Sequence, residues 1–279
     1  MSMFSLRFLL ALFLCSSVSA WAAPKLTQAW QAEGLATPES VLYHSEQKKD
    51  YVFVSLIDGD PSAIDNKGGI ALLGLKGEII NKDWVTGLNA PKGMAAKDNL
   101  LYVSDINELV VIDIAKAKVH ARYPAAGSEF LNDVAVNAAG DVFVSDTRTK
   151  KIYQLKKDKL DVYLENVDNA NGLAFIKKGM LVGAGKELQL VDKNKKIKIL
   201  ATGFGENIDG IEQVKKGEYV VSCWPGLVYY VDAKGQLTQL IDSRAEKINT
   251  ADIGYYSAGK LVLVPNFFKN TVTAYQLVY

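Results

Sequence analysis

Six short phrases recur along the chain, each beginning with a residue that could meet its counterparts: Glu39-Ser40-Val41, Lys92-Gly93-Met94, Asn132-Asp133-Val134, Asn171-Gly172-Leu173, Asp209-Gly210-Ile211 and Ala251-Asp252-Ile253. Their leading positions are separated by 53, 40, 39, 38 and 42 residues. Brought to one place, they offer two carboxylates (Glu39, Asp209), two carboxamides (Asn132, Asn171) and one ammonium (Lys92), with no His or Cys. An all-oxygen set suits a hard cation such as Ca²⁺, which takes about 6–8 oxygen ligands at about 2.3–2.6 Å. It does not suit Zn²⁺, which prefers nitrogen and sulfur. Two carboxylates match the charge of one dication. Four protein oxygens leave coordination positions for water or substrate, and an ion with open positions is a Lewis acid. Asn-Gly and Asp-Gly are also ordinary turn dipeptides, so each phrase alone reads better as a turn. The metal reading rests on Glu39, Asn132, Asn171 and Asp209 taken together.

Convergence requires a repeat that returns each phrase to the same point. Strand-like runs follow the phrases at 51–55 (YVFVS), 101–105 (LYVSD), 142–146 (VFVSD), 219–223 (YVVSC) and 261–265 (LVLVP), with a weaker copy at 181–184. They are β-branched or aromatic, short and bounded by turn residues. Third strands follow in every repeat and fourth strands in five. A period near 40 with four strands per repeat is the signature of a propeller blade. The expected fold is an all-β, six-bladed β-propeller over residues 24–279. The first strand of each blade lines the central channel, and all six run the same way, so the leading residues meet at one end. The sixth repeat lacks a fourth strand. The alternating segment 25–32 (KLTQAWQA) is expected to supply it beside 271–278, closing the ring and removing an exposed edge.

The loops joining second to third strands must flank the same end: 57–68, 146–150, Trp224-Pro225 and 266–269. The first is the longest and is a candidate lid. Trp224, Phe267 and Phe268, with Phe130, would form an apolar substrate pocket around a polar ion, favouring a ligand with a hydrophobic portion and a carbonyl end. Alternatively these aromatics pack between blades, since large aromatics are usually buried. Asp133 and Asp252 directly follow leading residues and are read as supports for the ligands rather than as ligands.

Outside the repeat, Arg7, the apolar run 8–14 (FLLALFL), small residues at 15–20 and Ala20-Trp21-Ala22 read as a secretory signal peptide over residues 1–23. The run is shorter than the roughly 20 residues that span a bilayer. The protein is therefore expected to be exported, periplasmic or secreted, and a monomer. The formal net charge is +1 with Lys and Arg spread along the chain, which argues against nucleic acid as a partner, and membrane insertion is not expected. Cys223 is the one Cys beyond the leader. It permits no intramolecular disulfide and reads as a small buried hydrophobe. His44 and His120 match no ligand pattern and are read as structural.

The series Pro38-Glu39-Ser40-Val41, Leu131-Asn132-Asp133, Asn171-Gly172-Leu173 and Asp209-Gly210, with 249–254 (NTADIG) and the "VSD" strands, resembles the strand starts of the regucalcin/gluconolactonase/luciferin-regenerating-enzyme-like propellers, relatives of paraoxonase and diisopropyl fluorophosphatase. The resemblance runs over nearly all of the chain beyond the leader. It implies a divalent cation, usually Ca²⁺, held by Glu39, Asn132, Asn171 and Asp209, and hydrolysis of a lactone or related ester. Two positions depart from it. Phe130 stands where gluconolactonase-like members carry an Arg that grips sugar hydroxyls, and Lys92 enters the ring from the second blade. The resulting expectation is a calcium-dependent hydrolase of a small-molecule lactone or ester. Asp209 would activate water or attack directly, and Lys92 would stabilise negative charge. The alternative is a non-catalytic exported propeller that binds a small ligand or a protein partner and uses calcium structurally.

Overall fold

The computed structural model describes residues 23–279; residues 1–22 of the expected signal peptide lie outside the described part. Six antiparallel sheets of four strands each follow one another along the chain. The inner strands are Pro38–Glu46, Pro91–Lys97, Leu131–Val136, Ala170–Ile176, Ile211–Lys215 and Gly254–Tyr256. This is the six-bladed propeller that the forty-residue period predicts. Among the described residues no helix is long and apolar enough to cross a membrane.

The ring closes as the alternating segment predicts. Lys25–Glu33 pairs antiparallel with Thr271–Val278, from Lys25 opposite Val278 to Glu33 opposite Thr271. The closing strand also reaches the first blade, where Trp30 Nε1 donates to Leu75 O at 2.9 Å. Ala32 joins Val272, Ala274 and Leu263 of the last blade to Val41, Val54 and Leu73 of the first in one buried cluster. The other interblade clusters have the same form; Leu181 and Leu188 of the fourth blade pack on Val221, Leu227 and Tyr229 of the fifth. Each second strand is thus covered on both faces. That is why Val142–Asp146 is buried at every position and its apolar residues form a run rather than an alternation.

The inner strands are irregular at the recurring phrases. The ladder to the second strand shifts register between Pro38 and Val41, Pro91 and Met94, Leu131 and Val134, and Ala170 and Leu173. A shift of this kind is a bulge that re-aims side chains. It occurs at Glu39-Ser40, Lys92-Gly93, Asn132-Asp133 and Asn171-Gly172. The Gly residues in these phrases are therefore not turn residues. A Cβ on Gly172 would lie 2.1 Å from Asp209 O, and one on Gly93 would lie 2.3 Å from Asp133 Oδ1. They are glycines because adjacent inner strands approach too closely for a side chain.

The serine of the "VS" strands has a matching role. Ser55, Ser145 and Ser222 Oγ accept the N–H of Ser40 at 2.9 Å, Asp133 at 2.9 Å and Gly210 at 2.8 Å. Ser222 Oγ also donates to Ala251 O of the next blade at 2.8 Å, and Ser104 Oγ donates to Asn132 O. These buried hydroxyls hold the bulges open and join neighbouring blades.

Candidate functional site

The bulges bring the leading side chains to one end of the channel. Glu39, Lys92, Asn132, Asn171 and Asp209 line a single cavity of about 370 Å³, together with Phe130, Trp224, Phe267, Phe268, Ile57 and Pro61. All four expected metal ligands, both expected catalytic residues and all four expected pocket aromatics therefore share one cavity. Ala251 does not line it. Its side chain packs with Ile57, Ala90, Ile106 and Phe267. The larger depression in the molecule, about 900 Å³, lies by the hairpin turns of the third and fourth blades around Asn137 and Lys178, on the opposite face.

The carboxylates at the cavity floor are poorly partnered. Asn171 Nδ2 donates to Asp209 Oδ1 at 2.7 Å, while Asp209 Oδ2 and Glu39 Oε2 are buried with no hydrogen-bond partner. A buried carboxylate oxygen without a donor is costly. Burial accordingly pushes Asp209 up to about 7 against the opposing Asn171 hydrogen bond. Burial, with the negative charges of Asp209 and Asp252, pushes Glu39 well above the usual carboxylate range, against the pull of Lys92. Asn132 Nδ2 donates to Thr147 Oγ1 at 3.0 Å, and that hydroxyl donates to Ala170 O at 2.8 Å. This fixes the carboxamide with its Nδ2 occupied and its Oδ1 without a protein partner among the described residues. Two orphaned carboxylate oxygens beside two carboxamide oxygens fit a hard dication in charge and in donor type. Among the described residues no three His, Cys, Asp or Glu side chains gather as a metal cluster.

Lys92 is 1% exposed. Its Nζ donates to Ala90 O at 3.0 Å and lies 4.3 Å from the centroid of the Phe130 ring. Burial lowers it to about 8, with Glu39 acting in the opposite direction.

The Asp133 carboxyl accepts backbone N–H groups and that of Asp252 the Ser40 hydroxyl, and neither hydrogen-bonds Glu39, Asn132, Asn171 or Asp209. Asp133 accepts the N–H of Val134 at 2.6 Å and of Leu173, next to the Asn171 phrase, at 2.5 Å. Asp252 Oδ2 accepts Ser40 Oγ at 2.5 Å, and Asp252 N donates to Glu39 O at 2.9 Å.

The rim comes from the expected loops. Trp224 is 37% exposed and Phe268 67%, whereas Phe267 is buried. Trp224 meets the other two edge-on at 5.7 and 5.8 Å between centroids. The aromatics thus serve both readings, with Phe267 packed inward and its neighbours open. Ile57 and Pro61 place the 57–68 loop on the cavity. Arg148 was not singled out from the sequence, although its loop was. Its Cζ lies 4.5 Å from the Phe130 centroid and its Nη2 donates to Ser62 Oγ of the 57–68 loop at 3.2 Å. Outside the cavity, His120 is exposed and His44 Nε2 lies 3.2 Å from Asp98 O. Cys223 is buried beside Glu206 O, and burial pushes its thiol up to about 12.

No protein-family model matches the chain, and no curated protein matches it in sequence. Solved structures match it in shape. The X-ray structure of a candidate gluconolactonase aligns with a TM-score of 0.67 at 13% identity, over 92% of this chain and 93% of that one. A streptogramin B lyase aligns with a TM-score of 0.62 at 10% identity, over 91% and 98%. A catalytically inactive His-to-Ala variant of virginiamycin B lyase from Staphylococcus aureus, with quinupristin, aligns with a TM-score of 0.60 at 11% identity, over 92% and 100%. The likeness is one of fold. Propellers host unrelated chemistries, so activity must be argued from the cavity.

Proposed function

We propose that the cavity is the active site of an exported, calcium-dependent hydrolase acting on a lactone or related ester with an apolar portion. The observation that carries this reading is the pair of buried, unpartnered carboxylate oxygens, Glu39 Oε2 and Asp209 Oδ2, in a cavity that also presents Asn132, Asn171 and an aromatic rim. Glu39, Asn132, Asn171 and Asp209 would hold the ion. When bound, it supplies Lewis acidity to a carbonyl oxygen. The chain's own residues do the rest. Asp209, with the carboxylate oxygen that the ion leaves free, would take a proton from water or bond the carbonyl carbon itself. Lys92 has two N–H donors beyond the one on Ala90 O, and these can stabilise the negative charge that develops on the carbonyl oxygen. Phe130, Trp224, Phe267 and Phe268 exclude water and seat the apolar portion.

The test has two parts. Calorimetry on chelator-stripped protein should give a one-site Ca²⁺ isotherm. A panel of lactones and aryl esters should then be turned over with Ca²⁺ and not with chelator. A flat isotherm overturns the metal. A clear isotherm without turnover of any ester or lactone overturns the hydrolase and leaves a binding propeller with a structural ion. Single-turnover hydrolysis in ¹⁸O-water tests for attack by Asp209: label in the Asp209 carboxylate means attack, because base catalysis leaves that carboxylate unlabelled.

A further inference from the structure

Two cations flank Phe130 of the cavity wall with no carboxylate to answer them: buried Lys92, which lines the cavity, and exposed Arg148, which does not. Neither Lys92 nor Arg148 is within ion-pair distance of a carboxylate among the described residues. The negative groups whose charge reaches Lys92 are Glu39, Asp105 and Asp60. Glu39 belongs to the ion's donor set. Asp105 accepts the N–H of Asn89 at 2.9 Å and of Ala90 at 2.7 Å. Asp60 accepts the N–H of Ser62 at 2.7 Å. Lys92 and Arg148 are instead gathered on one aromatic ring, at 4.3 and 4.5 Å from the Phe130 centroid. Two like charges held this close repel, and the ring's quadrupole compensates only modestly.

An ammonium buried without a counter-charge is costly. If Glu39 and Asp209 are neutralised by a dication, an anion brought from outside relieves the cost of keeping Lys92 charged. Arg148 is exposed and offers a planar fork whose geometry matches a carboxylate, and its bond to Ser62 Oγ steadies it.

We propose that the cavity takes an acidic substrate: an ester or lactone that carries a carboxylate, bound by Lys92 and Arg148 beside Phe130. This rests on reading the cavity as the substrate site. Lys92 spends one of its three donors on Ala90 O, leaving one for a carboxylate oxygen and one for the carbonyl oxygen at the ion. The apolar body of the substrate then lies toward Trp224 and Phe267.

The test compares phenylacetate with its neutral analogue phenylacetamide, by calorimetry on the Ca²⁺-saturated full-length protein. Wild type should bind phenylacetate at least about tenfold more tightly than the amide, the equivalent of one charge-assisted contact. Arg148→Gln and Lys92→Met should each reduce that preference several-fold, and together they should remove it. Equal binding of acid and amide by wild type overturns the proposal. So does a preference that survives both substitutions, since the ion would then be taking the carboxylate. A Ca²⁺ titration run alongside separates the two ideas. A flat Ca²⁺ isotherm with the Lys92- and Arg148-dependent preference intact overturns the metal reading and supports this one.

Discussion

Acidic residues at successive positions of the recurring phrases, in different blades, do different work. At the leading positions, Glu39 and Asp209 each keep one buried oxygen without a donor. One position later, the carboxyl of Asp133 accepts two backbone N–H groups, and that of Asp252 accepts Ser40 Oγ. The first tier is left unsatisfied around a cavity, and the second is spent on construction. Both sets are acidic, buried and shifted upward by desolvation. Residue type, burial and titration therefore do not distinguish them, and hydrogen-bond accounting does. The lesson is that a buried acid is read through its partners.

Substitutions in the two tiers should separate accordingly. Asp209→Asn should weaken Ca²⁺ by two orders of magnitude or more, on the order expected when a charged ligand is lost. The melting temperature measured in chelator should hold or rise, because a desolvated charge has been removed. If calorimetry shows unchanged Ca²⁺ affinity, the first tier is not a ligand set. Asp133→Ala should do the reverse. It strands the N–H groups of Val134 and Leu173 and should cost roughly 2–4 kcal/mol in denaturant unfolding, while the folded fraction still binds Ca²⁺. A stable Asp133→Ala protein that has lost Ca²⁺ binding would erase the distinction between the tiers.

The pH dependence sharpens the same comparison. Asp209 titrates near 7 when folded, against an ordinary value of 3.8. Between about pH 4 and 7 the folded state holds a proton that the unfolded state has released, so its contribution to stability is present at the acid end and lost as pH rises through 7. Glu39 shifts in the same direction. Lys92, lowered from 10.5 to about 8, acts only above this window. Chelated protein should therefore lose stability from about pH 5 to pH 7.5. The stabilisation added by Ca²⁺ should grow over the same range, because protons cease to compete for the oxygens. A melting temperature in chelator that rises over this range would contradict the assignment.

Smaller effects test the frame. Ser222→Ala removes the acceptor for Gly210 N and the donor to Ala251 O, and should cost about 1–3 kcal/mol with Ca²⁺ affinity nearly unchanged. Cys223, with its thiol pushed up to about 12 by burial, should resist alkylation in native buffer and react on unfolding. Rapid native labelling followed by mass spectrometry would show that the cavity side of the fifth blade opens.

The propeller, its six blades and its closure by the first strand were legible because each follows from local pattern. Strand-like runs, turns and a forty-residue period survive in a linear string, and a leftover alternating segment has one vacant edge to fill. The cavity residues Glu39, Lys92, Asn132, Asn171, Asp209, Phe130, Trp224, Phe267 and Phe268 were legible at one remove, since equivalent positions in a ring must converge. Tertiary structure alone decided the rest. Ala251 occupies a leading position in the repeat, yet it turns into a cluster with Phe267, because its apolar methyl gains more from burial than from the cavity. Gly93 and Gly172 looked like turn residues and are glycines because the neighbouring inner strand lies within a Cβ's reach. Arg148 meets Phe130 and Ser62 through a long side chain reaching between blades. Strand period depends on nearest neighbours along the chain, whereas the direction of a side chain and the partner of a buried oxygen depend on which atoms from other blades arrive beside it.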